Sequence, residues 1–204
     1  MKKENRFPLI LTALVTLVLI WSAIYPHDYY TWMLEVLPAL ITFGILALTY
    51  RRFRLSNFTY TLIAIHAVIL IIGGHYTYAE VPLFNWLRDI GVFGRNNYDK
   101  IGHFAQGFVP VLVAREVLVK LAVVKPGGWL AVFSASIVVA ASAIYEIVEM
   151  IISMLSGSAG DSFLGTQGYI WDTQTDMLLC TIGVVVALLL FSSYQDRILN
   201  VKST

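Results

Sequence analysis

The sequence predicts an all-α fold: a polytopic membrane helical bundle of about six transmembrane helices, N-in and C-in, forming one domain over residues 1–204. Three observations predict it. First, the chain is 58% hydrophobic and only 13% charged, with mean hydropathy +0.73. A soluble domain carries about 25% charged residues, too many more for this chain to be a water-soluble globule. Second, six apolar segments approach the roughly 20 residues that span a bilayer as a helix. Third, Lys and Arg alternate from loop to loop. One side holds Lys2, Lys3, Arg6, Arg51, Arg52, Arg54, Arg115, Lys120, Lys125, Arg197 and Lys202, and the other holds Arg88, Arg95 and Lys100. That bias of 11 to 3 places the first side, and both termini, in the cytoplasm.

The first segment, residues 8–25, follows Lys2, Lys3 and Arg6 and so resembles a signal peptide. Its apolar run extends too far, and Trp21-Ser22-Ala23-Ile24 is a poor cleavage context, so an uncleaved helix is expected. The second and third segments are 32–50 and 58–74. The fourth, 101–114, is short. Starting it at Asp99 gives 16 steps to Arg115, about 24 Å, with Arg115 snorkelling to the interface. The fifth and sixth are 129–155 and 177–191. Two outer connections are long. Residues 75–98 are rich in aromatics, as suits an interface, and residues 156–171 contain four glycines and form a candidate cap.

This topology, derived from Lys and Arg alone, brings eight other residues to the outer side: His75, Asp99, His103, Glu146, Glu149, Asp161, Asp172 and Asp176. Such groups are costly beside a bilayer and mark candidate sites. Asp99 and His103 are four apart, as are Asp172 and Asp176, while Glu146 and Glu149 are three apart. Each pair therefore shares a helix face. If the three faces converge, five carboxylates and one imidazole meet, and such a cluster requires protons or a cation. Carboxylate-bearing helices converging on metals are one bundle solution. His75 and Asp161 are outer-loop candidates of lower rank.

Plainer roles compete. Asp99, Asp172 and Asp176 suit the positive end of a helix dipole, and Asp172 suits an N-cap. Glu146 and Glu149 sit at the wrong helix end for that. Lys100 and Arg95 could pair with the carboxylates and leave no metal. His66, in mid-span, is expected to pack with a local hydrogen bond, and His27 to face water. Glu35 reads as a helix-start or snorkelling charge, and Gln106 as support for His103. Tyr145, Gln167 and Gln174 are donors near the cluster in sequence. Cys180, the one cysteine, is expected to be inert packing.

The motifs Tyr98-Asp99-Lys100-Ile101-Gly102-His103-Phe104, Tyr145-Glu146-Ile147-Val148-Glu149-Met150 and Trp171-Asp172-Thr173-Gln174-Thr175-Asp176-Met177 resemble the YjdF family of uncharacterised bacterial inner-membrane proteins. The resemblance covers nearly the whole chain, including Gly73-Gly74-His75-Tyr76. It implies a multi-pass protein of the bacterial inner membrane. More distantly, the Asp-Lys…His start, the Glu step and the aspartates followed by Gly183 are similar to VanZ-like membrane proteins. Here Glu149 stands where that pattern has Gln, and Asp176 where it has Asn.

Three function classes follow. The first is a metal-dependent hydrolase acting on a lipid, lipid-linked or cell-envelope substrate. Asp99, His103, Glu146, Asp172 and Asp176 would hold a divalent metal ion, and Glu149 and His103 are the candidate catalytic residues, Glu149 as general base toward water. The oxygen-rich set suits Mg²⁺, Mn²⁺ or Ca²⁺, and the imidazole admits Zn²⁺. No named hydrolase motif is present. The second is a non-catalytic accessory protein that binds an envelope component. The third is a proton-coupled transporter using Glu146, Glu149 and His103, against which the acids gather at one end. A haem cytochrome fits poorly, because His66 has no mid-membrane histidine partner. Membrane lipids are expected partners. With a net charge of +1 and no basic patch, nucleic acid is not.

Overall fold

A computed structural model describes residues 6–156 and 167–201, and among them every regular element is a helix. In chain order these are α1 (Arg6–Ser22), α2 (Tyr29–Thr49), α3 (Asn57–His75), α4 (Pro82–Asp89), α5 (Tyr98–Lys120), α6 (Gly128–Ser156) and α7 (Asp172–Ile198). α2, α3, α6 and α7 are long and apolar enough to cross a membrane. α1 is apolar with 17 residues, and α5 reaches 23 residues but carries many polar ones. Large apolar side chains point outward, among them Leu14 and Leu17 of α1, Ile41 and Ile45 of α2, Ile147 and Ile151 of α6, and Leu189 and Leu190 of α7. A surface of this kind has lipid as its solvent, and a helix suits lipid because it satisfies its own backbone.

Hydrogen bonds between helices fix their directions. At one end, Trp32 Nε1 of α2 donates to Ser22 Oγ of α1 at 3.1 Å, and His27 N donates to the His75 carbonyl that closes α3 at 2.9 Å. Tyr30 of α2 meets Ser156 of α6 there, and Lys100 of α5 meets Asp172 of α7. At the other end, Ser56 before α3 donates to Glu116 of α5, and Arg115 of α5 donates to Asp196 of α7. The six long helices therefore alternate up and down. Arg115, Lys120 and Arg197 share the second end, where Lys120 also donates to the Arg54 carbonyl. This is the cytoplasmic end, and the first is the outer end.

Arg115 corrects one expectation. It does not snorkel: it is 4% exposed and donates to the Ser192 carbonyl (3.2 Å), Gln195 Oε1 (3.1 Å) and Asp196 Oδ1 (2.8 Å). The reason is that α7 continues to Ile198 rather than ending near residue 191, which sets polar groups opposite the guanidinium. Residues 75–98 also hold more structure than an aromatic loop. Pro82 begins α4, and Phe84 packs with Tyr78, Val81 and Tyr98. An eight-residue helix is too short for a hydropathy pattern to reveal.

α5 packs most extensively on α7. Two glycines set that distance. A Cβ on Gly107 would lie 1.9 Å from the Cys180 carbonyl oxygen, and one on Gly183 would lie 2.2 Å from that of Phe104. Small residues let membrane helices bring their backbones together. Below them Val111, Leu112, Val138, Cys180, Val184 and Ala187 form a closed apolar core between α5, α6 and α7, with Cys180 fully buried.

Candidate functional site

The close α5–α7 contact brings the polar first turns of the two helices together at the outer end. Lys100 of α5 lies amid three aspartates, with Nζ 3.2 Å from Asp99 Oδ2, 2.8 Å from Asp172 Oδ1 and 2.7 Å from Asp176 Oδ1. Arg95, from the connection before α5, reaches Asp172 Oδ1 at 2.6 Å and Asp99 Oδ2 at 3.3 Å. Asp99, Asp172 and Asp176 can each offer one oxygen within 4.8 Å of the others, but the Lys100 ammonium already pairs with all three. Charge-assisted bonds in so dry a place are strong.

In a second group only Asp176 has such a partner, the Lys100 ammonium. His103, one turn below Asp99, Glu146 of α6 and Asp176 also bring one donor atom each within 4.8 Å of one another. His103 Nδ1 is 3.6 Å from Glu146 Oε1, and His103 Nε2 is 3.8 Å from Asp176 Oδ1. Both separations exceed a hydrogen bond. Glu146 is 6% exposed, and its Oε1 is buried with no hydrogen-bond partner among the described residues. Gln106 sits 3.0 Å from His103 Nδ1 and fixes the ring from below.

These residues line one cavity of about 110 Å³, which also touches Glu35, Pro38, His66, Tyr78, Tyr145 and Glu149. Six carboxylates therefore face it: Glu35, Asp99, Glu146, Glu149, Asp172 and Asp176. The two side-chain cations paired with them, Arg95 and Lys100, do not balance six charges. Like charges at this density call for protons or a further cation.

The loop after α3 shapes the cavity's wall. Thr77 and Tyr78 both adopt the left-handed backbone region, at φ 53° and 52°, an uncommon conformation that clusters at functional sites. The turn drives the Tyr78 ring between Gly73 and Gly102, where a Cβ would stand 2.4 and 3.0 Å from it. Burial holds the Tyr78 phenol well above its ordinary range, so it remains a neutral group. Gly74 leaves room for Glu35, whose Cβ would be 3.1 Å from an added Cβ.

The structure thus brings Asp99, His103, Glu146, Glu149, Asp172 and Asp176 around one cavity. It does not include His75, whose Nδ1 meets the Ser22 carbonyl at 2.9 Å and whose ring packs on Trp21 and Tyr76. Asp161 and most of the expected cap lie outside the described residues. The N-cap of α7 is Trp171, which makes no side-chain cap bond, and Asp172 is the first residue of the helix itself. His66 lines the cavity, and its buried Nε2 has no hydrogen-bond partner among the described residues, where a local bond is expected. Glu35 lines the cavity and is more than a helix-start charge. It is 8% exposed and lies seven residues into α2 from the Asp28 cap, about 10 Å. A carboxylate two turns deep in an apolar helix was the available signal. Tyr78 left no signal, since its placement depends on a backbone turn.

A family model described as a predicted membrane protein, DUF2238, matches residues 7–197. A curated relative, the inner membrane protein YjdF of Escherichia coli strain K12, is 42% identical over 183 residues, covering 90% of this chain and 88% of the relative. Both matches bear out the YjdF-like resemblance and lend nothing to the VanZ-like one. No solved structure matches the chain.

Proposed function

We propose a role for a chain that belongs to the DUF2238 family of predicted membrane proteins and resides in the bacterial inner membrane: it binds a divalent cation at the outer end of the bundle and uses it in hydrolysis of a membrane lipid. The observation that carries this reading is Glu146 Oε1, buried and unpartnered beside His103 and Asp176. A desolvated carboxylate oxygen without a donor is expensive, and a metal ion removes that cost.

In this reading His103, Glu146 and Asp176 hold the ion, while Asp99 and Asp172 keep their pairings with Arg95 and Lys100. That narrows the earlier five-residue set. One imidazole and two carboxylates suit Zn²⁺ or Mn²⁺ better than Ca²⁺, which takes six to eight oxygens. The ion would supply Lewis acidity. Glu149, 9% exposed and on the same cavity, would accept a proton from a water entering it. Gln106 orients the imidazole, and the Lys100 ammonium, 2.7 Å from Asp176, would yield that carboxylate to the ion. His66 and Glu35 extend the polar lining inward and favour a proton carrier, but the apolar core around Leu112 and Val184 closes the path below.

The test is metal content. Wild-type protein, mildly purified and measured by elemental analysis, is expected to carry about one divalent ion per chain. Glu146→Gln and His103→Ala should lower affinity at least tenfold while melting as folded proteins. Wild-type protein that binds no divalent ion by titration sinks the reading.

A further inference from the structure

Beside the acidic cavity, and separate from it, a groove of about 1170 Å³ opens on the flank of the bundle. Its walls are apolar, from Phe84 of α4, Phe93, Ile101 and Phe104 of α5's side, and Leu179 of α7. Phe93 and Ile101 are exposed, and Phe84 stacks on Phe93 at 6.2 Å. Arg95 and Lys100 lie at its outer rim. The rim is built: the Arg95 guanidinium sits 5.1 Å over the Tyr169 ring, and Gln167 and Asn96 exchange hydrogen bonds of 2.8 and 3.3 Å. Because α5 and α7 both run inward from the outer end, Phe104 and Leu179 lie one to two turns deeper than Lys100 and Asp172.

We propose that this groove binds an anionic phospholipid, with its phosphate on Arg95 and Lys100 and an acyl chain along Ile101, Phe104 and Leu179. The charge order matches that ligand and the membrane supplies it: cations stand at headgroup depth and aromatic and aliphatic walls at acyl depth. Arg and Lys recognise phosphate well. Lys100 is also the wall between groove and cavity. It lines the groove, yet its Nζ contacts Asp172 and Asp176, which line the cavity. A phosphate drawing Lys100 and Arg95 toward the groove would free Asp176 for the neighbouring cation. As the substrate class of the cation site, the lipid rests on the reading above; as a binding event it is measured without any metal.

The experiment is native mass spectrometry of the full, delipidated chain in detergent with a chelator present. Phosphatidylglycerol and phosphatidylcholine of matched acyl chains are titrated, and divalent metal is titrated separately. Phosphatidylglycerol is expected to bind at least tenfold more tightly. Leu179→Trp, which fills the groove, should weaken it tenfold or more and leave metal affinity unchanged. Arg95→Gln should erase the preference between the two lipids. Equal binding of both lipids by wild type, no retained lipid, or unchanged binding by Leu179→Trp overturns the assignment. A lipid-free wild-type dimer also overturns it, by giving the groove to a second copy. If metal binds and lipid does not, the lipid assignment alone fails; if lipid binds and metal does not, the cation reading alone fails.

Discussion

Single residues at the outer end do work that their types foretell in part. Asp28 caps α2, accepting a 2.7 Å bond from Thr31 N, and that bond is the main cause holding its carboxyl below the ordinary value. Asp28→Ala should destabilise the protein by about 1 kcal/mol, read as a lower melting temperature in detergent. A group with a depressed folded pKa stabilises above its unfolded pKa and ceases to as pH falls through the folded one. The melting difference between wild type and Asp28→Ala should therefore be full near neutral pH and shrink in acid below about pH 4. A difference that grows in acid contradicts this account. At the same scale, the sequence pointed to five of the cavity carboxylates and to His103 only through cost: Asp99, Glu146 and Asp176 stand out because charges near lipid are rare. It offered Lys100 as a partner but could not say that this one ammonium would contact three of them at once while a Glu146 oxygen had no hydrogen-bond partner among the described residues.

Helix pairs decide whether those residues meet. Gly107 and Gly183 bring α5 and α7 into backbone contact, and that contact sets the distance between the Asp99–His103 and Asp172–Asp176 faces. Gly183→Ala should cost about 1–3 kcal/mol through overpacking and weaken divalent-metal binding. Gly44→Ala is the control: nothing lies within 4 Å of its Cβ position, and alanine in a helix should stabilise by about 0.4–1 kcal/mol. Thermal melts and metal titration of both variants check this, and equal behaviour of the two would remove the role assigned to the glycines. Spacing along the chain assigns each pair its face, because i to i+3 and i+4 periodicity is local. It did not give the α4 helix or the left-handed turn at Thr77 and Tyr78, whose stability comes from burial of Tyr78 against Gly73 and Gly102.

At the level of the whole molecule, polarity runs along the bundle axis. The cytoplasmic end is a locked network, in which fully buried Glu116 accepts from Ser56 and Thr59 and pairs with Lys120 at 2.7 Å, and Arg115 is bound to Asp196. The outer end holds acids in excess around a cavity. A reporter fused after Thr204 is expected to behave as cytoplasmic, and a periplasmic signal there would reverse both ends and the proposed side of lipid access. The sequence by itself determined the membrane class, the alternation of helices and the end at which the acids gather, because hydropathy, helix period and Lys/Arg bias are properties of short segments. Only the tertiary structure decided which acids are already paired, that Glu35, His66 and Tyr78 join the cavity, and that Arg115 is buried rather than snorkelling. Those outcomes depend on which side chains from distant segments share one dry space, and no local pattern encodes that.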